Sequence, residues 1–414
     1  MIFDVAIVGG GPAGYSAALE AAGHKLKTVL FEREEMGGTC LNEGCIPLKS
    51  FLHVSKTVRQ ADNLGSSLKI DMSVITDISR NNVEKLKKGL LYSLNQECIT
   101  IVREEVTEIE KTAHYNLKTE KGCYKALHLI IATGSVQVIP QIQGLEQALQ
   151  KGAAVTSSDF FRLKSVPEHI AILGAGVVGI EIASFFTDLG KNVTLIDSEE
   201  RVLKELDEDM YTFYLSRLKS RGIEFLLGVQ VCELDVSDDM CIVFQQGDEI
   251  DEIHADLMIL AAGRKPVTKF NDVEGALICG DAGGKSMLAH SAMREGKMAV
   301  GEILGKEDKM DYDKIPHVIY SMPEAAWIGR GESKLGNKNG IEIMKKNLDY
   351  SSRYVIESDG IQGTVKKIFQ NHTLLGCQIV GDGAAELISF LGLQDLGDTI
   401  IFPHPSVAEI MDYL

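Results

Sequence analysis

Two glycine-rich segments nearly repeat each other, and this repeat constrains the fold more than any other feature. The first segment is Asp4-Val-Ala-Ile-Val-Gly-Gly-Gly-Pro-Ala-Gly14, and the second is Ile170-Ala-Ile-Leu-Gly-Ala-Gly-Val-Val-Gly179. In both, an apolar strand pattern leads into Gly-x-Gly-x-x-Gly, then a helical pattern, then a β-branched run that ends in Glu32 or Asp197. The distance from first glycine to acid is 23 residues in each (32 − 9 and 197 − 174). The sequence therefore predicts two dinucleotide-binding βαβ units that start 165 residues apart (174 − 9).

Each residue type in this motif has a physical task. The first glycine permits a tight turn, the second lets the backbone approach a pyrophosphate, and the third lets helix and strand pack closely. The phosphates face the free N–H groups at the start of the helix, and the closing acid accepts hydrogen bonds from a ribose hydroxyl. A 2′-phosphate beside Asp197 would be repelled, and no basic residue follows before Arg201. The second unit is therefore predicted to bind NAD rather than NADP.

Composition limits the class of protein. The chain has 414 residues, of which 45% are hydrophobic and 24% charged, as in a globular protein of two or three domains. Its net charge of −17 argues against binding to nucleic acid or to anionic membrane surfaces. No apolar run reaches the roughly 20 residues of a membrane span, and the start does not resemble a signal peptide. We expect a cytoplasmic protein that binds neither nucleic acid nor membrane.

Two of the eight cysteines, Cys40 and Cys45, lie close together shortly after the first acid. Their Cys-x4-Cys spacing does not match common zinc pairs and no histidine cluster accompanies it, so no metal site is expected. A five-residue step along an ideal helix rises about 7.5 Å, which exceeds the limit of about 6.8 Å between disulfide Cα atoms. A bridge therefore requires a distorted turn, which Gly44 and Pro47 permit. Two buried apolar cysteines are the alternative interpretation.

The whole cysteine segment, Gly37-Gly-Thr-Cys-Leu-Asn-Glu-Gly-Cys-Ile-Pro-Leu-Lys49, resembles the redox-active signature of the pyridine nucleotide-disulfide oxidoreductases. It is most similar to the branch of that family that oxidises dihydrolipoamide. The resemblance extends from Phe3 to Glu409, nearly the whole chain. It implies a flavoprotein in which Cys40 exchanges with the substrate disulfide and Cys45 lies next to the flavin.

In this family the first glycine motif binds FAD. The resemblance implies flavin contacts at Gly9, Gly11, Pro12, Ala13, Gly14, Glu32, Gly38, Thr39, Lys49, Thr133, Gly134, Gly280, Asp281, Leu288, Ala289 and His290. Taken alone, Gly280-Asp281 is typical of a plain turn. Its place before Leu288-Ala-His-x-Ala-x-x-Glu-Gly296 favours the second flavin motif, whose aspartate binds the ribityl chain.

The second glycine motif binds NAD in this family. The resemblance implies NAD contacts at Gly174, Gly176, Val177, Val178, Gly179, Glu181, Asp197 and Gly263. Lys49 and Glu181 also match an ion pair beside the flavin ring, although each alone would be an ordinary helix-surface charge. Glu181 lies in an apolar helix, where an unpaired charge would be costly, and this favours a partner.

The segment His404-Pro-Ser-Val-Ala-Glu409 resembles the family's C-terminal His-Pro-Thr-x-x-Glu. A lone His-Pro is more often a loop feature than a catalyst. Beside the cysteine motif it favours a catalytic base, with Glu409 orienting the imidazole. In the family this histidine reaches the active site of the other subunit, so a homodimer is implied.

The predicted fold class is α/β, with two Rossmann-like dinucleotide-binding domains and a C-terminal α+β dimerisation domain. We assign residues 1–150 and 262–312 to a discontinuous FAD domain, 151–261 to the NAD domain and 313–414 to the interface domain. The stretch from Leu48 to Lys88 is predicted to form helices inserted into the first unit. Only 18 residues separate Gly263 from Asp281 (281 − 263), so the strands that the family has there are expected to be largely missing.

The expected activity is NAD-dependent oxidation of dihydrolipoamide through a Cys40–Cys45 disulfide, with a free dithiol or the lipoyl domain of a multienzyme complex as substrate. Three departures from the family leave an alternative open, NADH-dependent reduction of another disulfide. One is the set of missing segments, and the other two are single residues. Glu43 places a charge between the cysteines, and Leu48 replaces a serine. A third possibility is a non-catalytic flavoprotein subunit, because the C-terminal region is shorter than in the family.

Overall fold

The computed structural model describes residues 1–237, 239–335, 340–391, 403–408 and 410, except for the side chain of Leu391. In this part of the chain no helix has the length and apolar character that crossing a membrane requires. The chain divides into two compact units. The first contains Met1–Ser50, Val74–Ile139 and Gly263–Met310, and the second contains Phe51–Ser73, Pro140–Ala262 and Asp311–Leu414.

The described residues form ten helices and twenty-two strands. The helices are α1 (Pro12–Gly23), α2 (Gly38–Asn42), α3 (Cys45–Asn63), α4 (Met72–Leu94), α5 (Leu145–Lys151), α6 (Val177–Asp188), α7 (Glu208–Ser220), α8 (Ala289–Ile303), α9 (Ser352–Glu357) and α10 (Ala384–Leu391). The strands are β1 (Ile2–Val8), β2 (Thr28–Phe31), β3 (Ile99–Val102), β4 (Glu108–Lys111), β5 (Tyr115–Lys118), β6 (Cys123–Ile131), β7 (Ser135–Gln137), β8 (Ala154–Thr156), β9 (His169–Leu173), β10 (Asn192–Asp197), β11 (Ile223–Leu227), β12 (Gln230–Asp235), β13 (Met240–Gln246), β14 (Glu249–Ala255), β15 (Leu257–Leu260), β16 (Arg264–Pro266), β17 (Leu277–Ile278), β18 (His317–Ile319), β19 (Ala325–Gly329), β20 (Ile341–Asn347), β21 (Thr364–Gln370) and β22 (Thr373–Val380).

The main sheet of the first unit has the strand order β3-β2-β1-β6-β5-β4, and β17 also pairs with β6. Strands β3, β2, β1, β6 and β17 run parallel to one another. Strand β5 pairs antiparallel with β6, and β4 pairs antiparallel with β5. Parallel strands with both faces covered need apolar residues at successive positions, and Val5, Ala6 and Ile7 are fully buried accordingly. The backbones of helices α1 and α8 are in close contact at Gly296. A Cβ on this residue would lie 2.2 Å from the Ala13 carbonyl oxygen, so only glycine fits there.

The second unit contains a parallel sheet with the order β11-β10-β9-β15-β8. A separate antiparallel sheet, β12-β13-β14, follows in the chain between β11 and β15. Its inner face joins a hydrophobic cluster that includes Ile242, Phe244 and Met258. The two Rossmann-like units that the glycine repeat predicts are thus confirmed.

A second antiparallel sheet, with the order β18-β19-β22-β21-β20, lies in the C-terminal part of the second unit. Its buried residues Ala326 and Ile379 belong to one cluster with Ile388 of α10. The expected C-terminal α+β architecture is therefore confirmed.

The helices predicted between Leu48 and Lys88 are α3 and α4. Phe51 of α3 packs on Phe160 and Phe185 with ring-centroid distances of 5.1 and 5.2 Å. In the shortened interval between Gly263 and Asp281, all of which is described, the strands are the three-residue β16 and the two-residue β17.

The start of α10 depends on a half-buried carboxylate. Glu324 Oε2 accepts a hydrogen bond from the Ala385 N–H at 3.0 Å. The pKa of Glu324 is raised from 4.5 to about 7, chiefly by burial and also by the nearby acids Glu386 and Asp382, while the Ala385 hydrogen bond and Lys56 oppose the shift. Between these two pKa values the folded protein therefore holds a proton that the unfolded chain releases.

We therefore predict that stability falls as pH rises through this window and that Glu324→Gln removes the fall. At about 1.4 kcal/mol per pKa unit, the upper limit of the effect is about 3 kcal/mol. The measurement is urea unfolding of the variant and the wild type at about pH 5 and about pH 8. Glu342→Gln, at an exposed glutamate of β20, is the control and should leave the pH profile unchanged. Identical profiles for Glu324→Gln and wild type would contradict the prediction.

Candidate functional site

The first and third glycines of each motif are required by the fold itself. A Cβ on Gly9 would lie 2.1 Å from the Ala132 carbonyl oxygen, and one on Gly14 would lie 1.7 Å from the Gly9 carbonyl oxygen. The second motif is nearly identical, with corresponding distances of 2.2 Å for Gly174 and 1.9 Å for Gly179. Both first glycines also have φ of 110°, a conformation that residues with a Cβ rarely adopt.

The middle glycine of each motif, Gly11 or Gly176, is not required by the fold. Gly11 and Gly176 have ordinary φ angles of −74° and −76°. A Cβ on Gly11 would meet only the Cα of Gly38 at 3.9 Å, and one on Gly176 would meet nothing within 4 Å. Protein packing therefore does not explain these glycines, whereas a pyrophosphate against the backbone does. Neither α1 nor α6 has a side-chain hydrogen bond at its N-cap, so both helix starts fit a bound phosphate.

The two closing acids are held in the same way. Glu32 Oε2 accepts a hydrogen bond from the Gly10 N–H at 2.8 Å, and its Oε1 accepts one from the Glu34 N–H at 2.8 Å. Asp197 Oδ2 and Oδ1 accept from the N–H groups of Ala175 (2.7 Å) and Glu199 (3.0 Å). A carboxylate oxygen accepts more than one hydrogen bond. Each acid is thus fixed beside its glycine motif with acceptor capacity for ribose hydroxyls.

The predicted second flavin motif is part of a polar chain. Ser135 Oγ donates a hydrogen bond to Asp281 Oδ2 at 2.6 Å, and Arg264 Nε donates to Ser135 Oγ at 2.7 Å. Arg264 Nη2 also donates to the Ser135 carbonyl at 2.7 Å and to Thr39 Oγ1 at 3.3 Å. The Gly280 N–H donates to the buried Glu295 at 2.6 Å. The Asp281 carboxylate therefore has a fixed position in the first unit.

Sequence reasoning missed Ser135 and Arg264, although a signal for both was present. Each directly follows the closing glycine of a nucleotide unit, Gly134 or Gly263. They begin strands β7 and β16, which pair antiparallel so that Ser135 faces Pro266 and Arg264 faces Gln137. The similar segments Ala132-Thr-Gly134 and Ala261-Ala-Gly263, which end the two nucleotide units, directly precede these positions.

The cysteine segment lies against the first glycine motif. The Gly37 N–H donates to the Gly10 carbonyl at 2.9 Å, and a Cβ on Gly38 would lie 2.8 Å from the Gly11 Cα. Asn42 Nδ2 donates to the carbonyls of Gly38 at 2.9 Å, Met36 at 3.2 Å and Glu35 at 3.3 Å. Asn42 is thus a further site residue that the sequence did not identify, because its role depends on the local turn.

Cys40 and Cys45 do not share one helix. Cys40 lies in α2, which ends at Asn42, and Cys45 begins α3. The break falls at Glu43 and Gly44, which confirms the expected distorted turn between the cysteines. Both cysteines are partly buried.

The two thiols behave as one titrating pair. The pKa of Cys40 is raised well above its usual value, first by a hydrogen bond with Cys45 and then by burial and by charge on Cys45, while Lys49 opposes the shift. Cys40 therefore keeps its proton when Cys45 is a thiolate. Burial also raises the pKa of Tyr15 to about 12, and charge on the two cysteines adds to this effect. The phenol of Tyr15 thus stays neutral beside the pair.

A partly buried cation, Arg264, lies within electrostatic range of the pair. Burial lowers the pKa of Arg264, while the negative charges of Asp281, Glu43 and Cys45 raise it. The guanidinium is thus a positive neighbour of the Cys45 sulfur, and Glu43 is an anionic neighbour of that guanidinium. This arrangement stabilises a thiolate at Cys45 and lets Glu43 moderate that effect.

Other predicted flavin residues occupy the expected elements of the first unit. Thr133 Oγ1 donates to the Val267 carbonyl at 2.9 Å, and Pro12 and Ala13 begin α1. Leu288 is the N-cap of α8, whose first turn contains Ala289 and an exposed His290.

In the second unit, Val177 and Val178 begin α6, and Val178 is partly exposed. Glu181 is 1% exposed, and its Oε1 accepts a hydrogen bond from the Tyr320 N–H at 3.0 Å. Lys49 belongs to the first unit and Glu181 to the second, and their ion pair stays a prediction.

His404 is exposed, and neighbouring Ser406 accepts a hydrogen bond at its carbonyl from Ser351 Oγ at 2.8 Å. Glu409, its predicted partner, lies outside the described residues. The catalytic role of His404 also stays a prediction.

Residues 3–287 match the family model described as pyridine nucleotide-disulphide oxidoreductase, and residues 315–413 match the dimerisation domain of that family. The chain is 32% identical to a dihydrolipoyl dehydrogenase of Buchnera aphidicola over 98% of this chain and 93% of that one. It is 30% identical to the dihydrolipoyl dehydrogenase of Mycoplasma pneumoniae over 99% of this chain and 97% of that one.

Among solved structures, the fold matches the flavoprotein disulfide reductase RclA from Escherichia coli with a TM-score of 0.87. The match covers 100% of this chain and 99% of that one at 21% identity. It also matches LpdA from Mycobacterium tuberculosis with a TM-score of 0.86 at 19% identity, over 99% of this chain and 98% of that one. These likenesses establish the fold.

The third glycine of the second motif is required by packing, whereas the middle glycine is assigned to nucleotide binding, and alanine substitutions should separate these two roles. Gly179→Ala forces a Cβ against a backbone carbonyl and should destabilise the protein by about 2–3 kcal/mol. Gly176→Ala meets no protein atom within 4 Å and should change stability by less than about 0.5 kcal/mol. We expect Gly176→Ala instead to weaken NAD binding about tenfold or more, because its methyl group enters the pyrophosphate position. Urea unfolding and calorimetric NAD titration measure the two effects, and unchanged NAD affinity in Gly176→Ala would contradict the assignment.

Proposed function

The chain belongs to the pyridine nucleotide-disulphide oxidoreductases, enzymes that use FAD and NAD(H), and we propose that it oxidises dihydrolipoamide with NAD as acceptor. The observation that carries this proposal is the placement of Cys40 in α2 and Cys45 at the start of α3, on either side of a helix break in a segment that packs on the first glycine motif. Two full-length relatives named dihydrolipoyl dehydrogenase, at 32% and 30% identity, support the choice of substrate. The family match also places the chain among enzymes, so a purely non-catalytic role is not pursued.

The proposed reaction begins with the oxidised pair, in which Cys40 and Cys45 form a disulfide. His404 accepts a proton from one substrate thiol, and the resulting thiolate attacks Cys40 Sγ. A mixed disulfide forms and Cys45 leaves as a thiolate. The second substrate thiol then attacks the substrate sulfur of the mixed disulfide, and its proton passes to the departing Cys40 sulfur. This step releases the cyclic disulfide product and leaves Cys40 as a thiol. Two electrons have passed from the substrate dithiol to the cysteine pair.

The electrostatics of the pair suit this sequence of steps. Cys40 takes up a proton as the product leaves and then holds it, because its pKa is raised by the hydrogen bond with Cys45 and by burial. Cys45 then carries the negative charge, close to the Arg264 guanidinium. A localised thiolate at Cys45 is the species that can donate electrons onward.

FAD supplies the two-electron carrier between this thiolate and NAD. Gly9, Gly11 and Gly14 would hold its pyrophosphate, and Glu32 would bind a ribose hydroxyl. Asp281, fixed by Ser135, would bind the ribityl chain. On the NAD side, Gly174, Gly176, Gly179 and Asp197 have the same geometry as their counterparts in the first motif. Lys49 and Glu181 are proposed as the ion pair beside the flavin ring.

We propose a homodimer in which His404 serves the cysteine pair of the partner subunit. The match of residues 315–413 to the family's dimerisation domain supports this arrangement. The substrate would be free dihydrolipoamide or the lipoyl domain of a multienzyme complex. We also propose a cytoplasmic location. A disulfide in that compartment is usually catalytic rather than structural, which agrees with a redox role for the cysteine pair.

A second candidate is the NADH-dependent reduction of a different disulfide. Glu43 favours it, because its charge lies within range of Arg264 and between the two cysteines in the chain. An anion there opposes the thiolate form of Cys45 and changes which disulfides the pair can reduce. The second departure that favours this candidate is Leu48, a buried residue that replaces the serine that the family usually has.

The test measures NADH formation by the FAD-loaded protein with dihydrolipoamide and NAD. Cys45→Ser should lower this turnover about a thousandfold or more, because the residue takes part in the covalent step. Reduction of the flavin by NADH should persist in the variant, since that step does not use the cysteines. Cys123→Ser, at an exposed cysteine of β6, is the matched control and should retain full turnover.

Two outcomes would redirect the proposal. Full dihydrolipoamide turnover by Cys45→Ser would exclude the cysteine mechanism. A wild-type enzyme that oxidises NADH with another disulfide but does not turn over dihydrolipoamide would establish the second candidate instead.

A further inference from the structure

The antiparallel sheet β12-β13-β14 of the second unit has two chemically distinct faces. On β13, Met240, Ile242 and Phe244 are buried in the hydrophobic cluster, so Cys241 and Val243 between them point outward. On β14, the burial of Ala255 places the exposed His254 and Glu252 on the same outer face. Three side chains with metal-binding atoms therefore share one surface: Cys241, Glu252 and His254.

The strand register fixes these three donors as neighbours. Cys241 lies directly opposite His254, and Glu252 lies opposite Val243, one diagonal step away. The β13–β14 pairing is regular over seven residue pairs, from Met240↔Ala255 to Gln246↔Glu249. A shift by one residue would move the buried side chains to the outer face, so the apolar core holds the register.

The distances between the donor atoms are those of a metal coordination sphere. Cys241 Sγ lies 3.5 Å from Glu252 Oε2, and His254 Nε2 lies 3.8 Å from Glu252 Oε1. One ligand atom from each residue lies within 4.8 Å of the others. Bonds of about 2.0–2.3 Å in tetrahedral geometry place neighbouring zinc ligands about 3.4–3.6 Å apart. Small side-chain rotations would therefore close the site.

We propose that Cys241, Glu252 and His254 form a surface binding site for Zn²⁺. Sulfur, imidazole nitrogen and carboxylate oxygen are the ligand types that zinc prefers, whereas Mg²⁺ and Ca²⁺ prefer oxygen alone. The site is separate from the disulfide chemistry, because it uses none of the residues assigned to that reaction. It also escapes a search for linear motifs, because the donors come from two strands and follow no zinc-finger spacing.

The third strand strengthens the case for a cation. Asp235 of β12 lies opposite Cys241 on the side away from His254, and Glu233 lies opposite Val243. Two further carboxylates thus border the three donors and attract positive charge. Three protein ligands leave a fourth position, which Asp235 or a water molecule would fill.

The experiment titrates Zn²⁺ into the FAD-loaded protein with its cysteine pair oxidised, so that Cys40 and Cys45 do not compete for the metal. Equilibrium dialysis with metal analysis should find one Zn²⁺ per chain. Co²⁺ in the same site should give the absorption bands of tetrahedral cobalt at wavelengths beyond those of oxidised flavin. Cys241→Ser and His254→Ala should each weaken zinc binding about tenfold or more, since even outer partners of metal ligands have effects of that size.

The matched control is Cys232→Ser, which removes an exposed cysteine from the same sheet and should leave zinc binding unchanged. All three substitutions lie at the surface, and unchanged flavin absorbance and unfolding midpoints would show that the variants fold. Zinc that binds equally well to Cys241→Ser would overturn the proposal. Failure of the wild-type protein to retain zinc in dialysis would overturn it as well. Neither result affects the dihydrolipoamide assay, so this proposal and the catalytic one fail separately.

Discussion

The close approach of two backbone segments at the first glycine of each motif is the constraint on which both nucleotide units depend. Gly9 leaves no room for a Cβ against the Ala132 carbonyl, and Gly174 leaves none against the Ala261 carbonyl. This contact sets the point at which each strand turns into its helix. It leaves the helix start without a side-chain cap and brings the closing acid beside the turn. A nucleotide site thus arises from packing that the apolar strands already require.

The proposed redox pair, Cys40 and Cys45, depends on the turn that this contact forms in the first unit. Gly38 packs its backbone against Gly11, and the Gly37 N–H bonds to the Gly10 carbonyl. The cysteine segment is therefore anchored to the turn that would bind the flavin pyrophosphate. The helix break at Glu43 then lets Cys45 turn back toward Cys40, which a continuous helix would prevent. The position of the two cysteines is thus a consequence of glycine packing rather than of a separate scaffold.

Features encoded in short stretches of chain could be predicted, and features that depend on pairing between distant stretches could not. The glycine motifs, the broken turn and the helices α3 and α4 each follow from neighbouring residues. The chain from Arg264 through Ser135 to Asp281 joins three separate regions, which the β7–β16 and β6–β17 pairings bring together. The same holds for Cys241 and His254, which become neighbours only once the β13–β14 register is known. Sequence patterns reveal which face of a strand is buried, but not which residue lies opposite.

This difference explains why the reaction class can be inferred more firmly than the substrate. The class depends on two cysteines and two glycine motifs, all of which are local. Substrate preference depends on the reduction potential of the pair, which is set by charges around the Cys45 sulfur. Arg264 acts on Cys45, Lys49 acts on Cys40, and Glu43 acts on Arg264; of these three charges only Lys49 and Glu43 belong to the cysteine segment. Because Glu43 acts partly through a guanidinium more than 200 residues away in the chain, its effect depends on how firmly Ser135 holds that guanidinium in place.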